Sequence, residues 1–177
     1  MNDTASSTPT VKRRLIVMVY EVFLLMAVEM LAVALYLLVT RNSHAPLAQH
    51  GLKVFLFLVT GAYFVWSWTN SGHTLAMKTW RLCLTDGRQG RVTVKTAVLR
   101  YLLAWGWFLP ALAVCGLFGL KSKLEISAAV GAGIVAWGLT ALLDKDRQFL
   151  HDRLAGTRLV QLPKPSKAPA TAAAPTA

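Results

Sequence analysis

Four stretches of the chain are almost wholly apolar: Leu15 to Thr40, Leu52 to Thr69, Tyr101 to Leu120 and Ile126 to Leu143. A bilayer core of about 30 Å needs roughly 20 helical residues at about 1.5 Å each, so each stretch is predicted to be a transmembrane helix. The second and fourth lie near the lower length limit, and the first is long enough to tilt or protrude. Lys12, Arg13 and Arg14 precede the first run as in a secretory signal. That run is too long for a signal core and no small-residue cleavage pattern follows promptly, so it is read as a retained helix.

The polar segments divide differently. Residues 1–11 are small and polar, and residues 163–177 are rich in Pro, Ala, Thr and Lys; both are predicted to be disordered. The segment from Asn70 to Arg100 is too long for a bare connection. Within it Trp80-Arg81-Leu82-Cys83-Leu84 alternates like a short strand, Asp86-Gly87 is a turn signal, and Thr93 suits a helix N-cap. After the fourth run, Gln148 to Ala155 reads as a short amphipathic interfacial helix with Phe149, Leu150 and Leu154 towards lipid and Gly156 as its stop. Thr157 to Leu162 is again extended and is expected to pair with Arg81 to Leu84. The predicted fold class is therefore an all-α membrane protein: four transmembrane helices over residues 12–162, with a small cytoplasmic amphipathic helix and a short β element.

Composition sharpens this. The chain has 177 residues, 55% of them apolar and 15% charged, with a mean hydropathy of +0.47. A soluble domain carries roughly 25% charged residues, and a disordered chain is low in hydrophobicity; neither class fits. The net charge of +11 invites a nucleic-acid partner, but the placement of the charges argues against one. Fifteen of the nineteen Lys and Arg fall before the first run, between the second and third, or after the fourth; only Arg41, Lys53, Lys121 and Lys123 fall on the other side. The positive-inside rule then puts both termini in the cytoplasm, with the lipid bilayer as the first partner. Tyr63, Trp66 and Trp68 close the second run while Tyr101, Trp105 and Trp107 open the third, as expected of an aromatic belt. Cys83 and Cys115 are the only cysteines and support neither a disulfide framework nor a zinc site.

Two acids interrupt the first run. An ionised carboxylate in hydrocarbon costs at least about 2.5 to 3.5 kcal/mol, so such residues are candidates for function. Glu21 follows Arg14 by seven residues, which returns it to nearly the same helix face, and a structural ion pair is as reasonable as a transport role. Glu29 lies near mid-span with no Lys, Arg or His at comparable depth. It is a candidate to bind and release a proton or small cation, or else a carboxyl hydrogen-bonded to Thr60, Ser67 or a backbone carbonyl. Ala128, Ala132 and Ala136 make a small-residue face suited to packing in the bundle or to a homo-oligomer. Pro110 is expected to kink the third run. His151-Asp152 lacks a nucleophile to complete a catalytic set, and its expected role is pairing with Arg or backbone. His44 and His50 have weak metal-ligand spacing and no acidic partner. No enzymatic activity, cofactor or metal is expected.

Several segments together resemble the RDD family of bacterial membrane proteins: Arg14 with an acid seven residues on, Gly72-His73-Thr74-Leu75 after the second run, Ala97-Val98-Leu99-Arg100-Tyr101 entering the third, and His151-Asp152-Arg153-Leu154-Ala155-Gly156-Thr157 near the end. The resemblance implies that Arg14, Glu21 and Asp152 are the signature Arg and two acids, Glu21 standing where the family has Asp. The motif positions Gly72, Thr74, Gly156 and Thr157 come with it. It also implies a bacterial inner-membrane location and transport, monovalent cation/proton antiport being reported for some members. A non-transporting scaffold that binds lipid or a partner protein is the alternative.

Overall fold

In the computed structural model the described residues are 8–43, 45–87, 90–144 and 148–163. The expected disorder of the N-terminus up to Ser7 and of the tail from Lys164 lies outside them, as does His44.

The first helix, α1 (Val11–Val39), starts where the Thr10 hydroxyl accepts from the Arg13 N–H. Helix α2 (Pro46–Asn70) begins six residues before the apolar run does, because Pro46 fits the first helical turn, where its missing N–H costs nothing. A single-turn helix, α3 (Leu75–Thr79), leads into β1 (Leu82–Asp86). Thr93 caps α4 (Val94–Ala104) as anticipated, accepting from Thr96 N–H. A 3-10 turn at Trp105–Trp107 separates α4 from α5 (Leu109–Leu117). The third run is thus two helices bent by 44°, and Pro110 opens α5 instead of kinking one continuous helix. Helix α6 (Lys123–Leu143) opens on a capping box in which Ser122 and Glu125 satisfy each other's backbone N–H groups.

The chain closes with α7 (Leu150–Leu154) and β2 (Thr157–Gln161), and β2 pairs antiparallel with β1 from Leu82↔Gln161 to Asp86↔Thr157. The pairing expected from the alternation is therefore present. The interfacial helix is shorter than expected, and Phe149 does not face lipid: it is fully buried, stacked on His151 and packed edge-on to Trp107. Its apolar ring is consumed by the protein's own core.

Helices α1, α2 and α6 are each long and apolar enough to cross a membrane, and the α4–α5 pair passes the same test if taken as one bent span. Their surfaces are largely open: Met30, Leu31, Leu38, Leu117 and Leu124 are each at least 70% exposed, as suits contact with lipid. The packed core lies at one end, where β1, β2 and α3 meet α4 and the adjoining ends of α1 and α2. Val17, Trp68, Met77, Leu82, Leu84, Tyr101 and Leu159 form it. Trp68 and Tyr101 are therefore core residues, whereas Trp66 is exposed.

Ala128, Ala132 and Ala136 are exposed on α6. The contact of α6 with the bent pair uses Gly133 against Ala111 and Trp137 against Gly106 instead.

Candidate functional site

The motif residues converge on the packed end. Asp152, on the one-turn helix α7, has no exposed surface, and Arg100 grips one of its oxygens twice: Nε donates to Oδ1 at 2.8 Å and Nη2 at 2.7 Å. Asp152 Oδ2 is buried with no hydrogen-bond partner among the described residues. Burial opposes ionisation of Asp152, but Arg100, with His151 and Arg14 behind it, outweighs burial and holds the carboxyl below its usual range. The Arg100 guanidinium also lies 4.2 Å from the centroid of the Trp68 ring, a cation–π contact out of water.

His151 is the second buried polar group here. Trp137 Nε1 donates to His151 Nδ1 at 3.4 Å, and since an indole nitrogen only donates, Nδ1 must be the unprotonated ring nitrogen. The neutral ring then carries its proton on Nε2, 3.5 Å from Asp152 Oδ1. Burial pushes the His151 pKa down to about 4, assisted by the Arg100 and Arg14 charges and opposed by Asp152. Asp152 thus pairs with an arginine and His151 with a tryptophan.

The signature residues do not form one triad. Glu21 takes its hydrogen bonds from two hydroxyls, Tyr63 on α2 at 2.7 Å and Thr74 ahead of α3. Arg14 is 2% exposed, lies 5.9 Å from the Phe149 ring centroid, and is drawn electrostatically to Asp152. The expected Arg14–Glu21 ion pair is thus replaced by two separate sets of partners, with the Arg100 charge near enough to act on both acids. A direct contact along α1 would have to bridge roughly 10 Å of helix rise, and partners from α2, α3 and α7 are closer.

The remaining motif positions shape the backbone around the cluster. Gly72 has φ +74° and its carbonyl accepts from Leu84 N–H at 2.6 Å, while Thr74 accepts from Met77 N–H to cap α3 as its hydroxyl donates to Glu21. Gly156 has φ +67° after α7 and its carbonyl accepts from Gly87 N–H at 2.8 Å. Thr157 donates to the Asp152 carbonyl at 3.2 Å. Only glycine adopts those two positive-φ turns without strain.

Arg100 and Tyr63 carry much of this cluster as the partners of Asp152 and Glu21. Arg100, counted among the cytoplasmic charges, lies in α4 with 6% exposure. Its place at the head of an apolar run, next to Tyr101, was the available signal. Tyr63, expected in the aromatic belt, gives its hydroxyl to Glu21.

Glu29 stands apart, about 12 Å further along α1 from Glu21 at 1.5 Å per residue. It is half-buried against α2 and accepts from the Thr60 hydroxyl at 3.1 Å. Among the described residues no group of three or more His, Cys, Asp or Glu is placed to hold a metal ion.

No curated protein and no solved structure matches the chain. A family model described as the RDD family matches residues 8–156, a span that contains Arg14, Glu21, Arg100 and Asp152 together with the elements that gather them. The chain belongs to the RDD family, and it is a membrane protein built on apolar helices.

Proposed function

We propose that the chain exchanges a monovalent cation for a proton across a bacterial inner membrane, with Glu29 as the coupling carboxyl. In this reading it is a transporter and not an enzyme. The α4–α5 pair counts as one bent span, so that four spans cross the bilayer. Both termini, the two-stranded sheet and α7 lie in the cytoplasm, as the distribution of Lys and Arg supports.

The observation that carries the proposal is the setting of Glu29. Among the described residues its hydrogen-bond partner is a single neutral hydroxyl, from Thr60, and it sits between two apolar helices. A hydroxyl can donate to a carboxylate or accept from a carboxylic acid, so the pair tolerates both protonation states. Asp152, by contrast, is tied to Arg100 and is unsuited to cycling. Four helices are few for alternating access, so the working unit is an oligomer.

The test is proton flux in proteoliposomes under imposed Na⁺, K⁺ or Li⁺ gradients, comparing the parent protein with Glu29→Gln and Glu21→Gln. Flux that depends on the cation and disappears in Glu29→Gln supports the reading. Absence of flux from folded, correctly inserted parent protein overturns it in favour of the scaffold alternative.

A further inference from the structure

Trp68, Ser71, Gly72, Cys83 and Arg91 border a cavity of about 160 Å³ where the C-terminal end of α2 meets β1 and the segment before α4. That is several times the roughly 30 Å³ share of a liquid water. Trp68 is 4% exposed and its Nε1–H has no hydrogen-bond partner among the described residues. Buried donors almost always have one, so this one calls for an acceptor. Phe64 stacks on the Trp68 ring and the Arg100 guanidinium lies over it. The indole is thus covered on its faces and borders the cavity by its edge.

The cavity's charge is set by Arg91. One of its N–H groups donates to the Asn70 carbonyl at 3.1 Å, anchoring the guanidinium at the cavity wall and leaving other donors of its planar fork for a ligand. Asp86, at the end of β1, accepts from Gly90 N–H at 2.6 Å, so its charge is engaged beside the cavity. Burial pushes the Cys83 thiol pKa up, which keeps the sulfur neutral. The Ser71 hydroxyl adds a further polar group to the wall.

We infer that this cavity binds a phosphate oxyanion, with Arg91 supplying charge-assisted hydrogen bonds and Trp68 Nε1 a buried donor. The phosphate comes either from solution or from the headgroup of an anionic phospholipid, which reaches the site because α2 is an apolar, membrane-length helix ending there. This site uses none of the residues assigned to transport and stands independently of that proposal.

Cys83 reports on it directly. In a Cys115→Ala background in maltoside micelles it is the only thiol, and its alkylation by N-ethylmaleimide is timed at constant ionic strength with inorganic phosphate, with phosphatidylglycerol, or with neither. Because protection scales as 1 + [L]/Kd, a ligand at about ten times Kd slows alkylation about tenfold. Arg91→Gln, an exposed and well-tolerated change, is expected to abolish protection, and Trp68→Phe to weaken it. Protection by inorganic phosphate identifies a soluble source; protection by phosphatidylglycerol alone identifies a headgroup. No protection by either, or undiminished protection in Arg91→Gln, overturns the inference.

Discussion

Asp152 and Glu29 are both carboxyl groups held away from bulk water, and their surroundings differ in every respect that matters for function. Asp152 is enclosed by Arg100, His151 and the Thr157 turn, with a full positive charge 2.7 Å away. Glu29 is half-open and faces one neutral hydroxyl. A buried charge with a charged partner is expensive to disturb, whereas a carboxyl with a neutral partner changes protonation state at small structural cost. Under the proposed function, the charged cluster around Asp152 serves architecture at one end of the molecule and Glu29 serves the chemistry.

The largest expected effect tests the first half of that assignment. Asp152→Ala leaves Arg100 buried without its counter-charge and should cost about 3–5 kcal/mol, lowering both the melting temperature and the yield of folded protein in micelles. Replacing both partners, Asp152→Ala with Arg100→Met, should recover much of the loss, because an apolar pair of similar volume has no charge to desolvate. A double variant as unstable as the single one would show that the cluster's shape, and not its charge balance, holds this end together.

The pH dependence of stability separates His151 from Asp152. The folded pKa of His151 is lowered to about 4 from 6.5, so the unfolded chain binds the extra proton first. The stability due to a neutral His151 is fully present above pH 6.5 and is lost as pH falls towards 4, by roughly 3 kcal/mol at about 1.4 kcal/mol per unit. Asp152 is also shifted down, so its contribution is lost only below its unfolded value of 3.8. Melting curves between pH 7 and 4 should thus show a decline that His151→Gln flattens and that Asp152 leaves alone. A decline unchanged in His151→Gln would place the titrating group elsewhere.

A smaller effect concerns the turns that frame the cluster. Gly72 and Gly156 share a positive φ, but a Cβ at Gly72 would stand 2.8 Å from Cys83 Sγ, whereas at Gly156 nothing lies within 4 Å. Gly156→Ala should therefore cost about 1–2 kcal/mol from backbone strain alone, and Gly72→Ala more than that. Adding Cys83→Ala to Gly72→Ala should return most of the excess and leave the strain and the tight approach to the Leu84 carbonyl at 3.3 Å. Equal costs at the two glycines would mean that the Gly72–Cys83 contact relaxes freely.

Apolar length and alternation made three of the spans and the β1–β2 pairing legible in the sequence, because lipid contact and strand pleating leave a direct periodic trace. Helix starts were less so, since Pro46 and the Ser122–Glu125 box act through backbone groups that hydropathy ignores. Phe149 shows a deeper ambiguity: an apolar residue on a short amphipathic stretch serves a lipid face and a protein core equally well, and only the neighbouring Trp107 and His151 decide. The burial of Arg100 was hidden for a related reason. Counting Lys and Arg treats each as a marker of the membrane surface, while its partner Asp152 is 52 residues away, a separation that no local pattern encodes. The Glu29–Thr60 contact was legible because both residues are polar exceptions within apolar runs.

The smallest structural effect is expected at Glu29, and it is also the most informative about function. Glu29→Gln keeps the length of the side chain and an oxygen that accepts from Thr60, so the stability in micelles should change by no more than about 0.5 kcal/mol, as for a substitution that buries no new unpaired group. The same variant loses a group that ionises, and cation-dependent proton flux should vanish. Glu29→Ala would remove the acceptor as well and blur that distinction. Thr60→Val should instead retain some flux with an altered pH optimum, since the carboxyl persists while its hydroxyl partner is gone. Flux that survives Glu29→Gln at parental rates would move the coupling acid away from Glu29, and Glu21, held by Tyr63 and Thr74, would be the next carboxyl to replace.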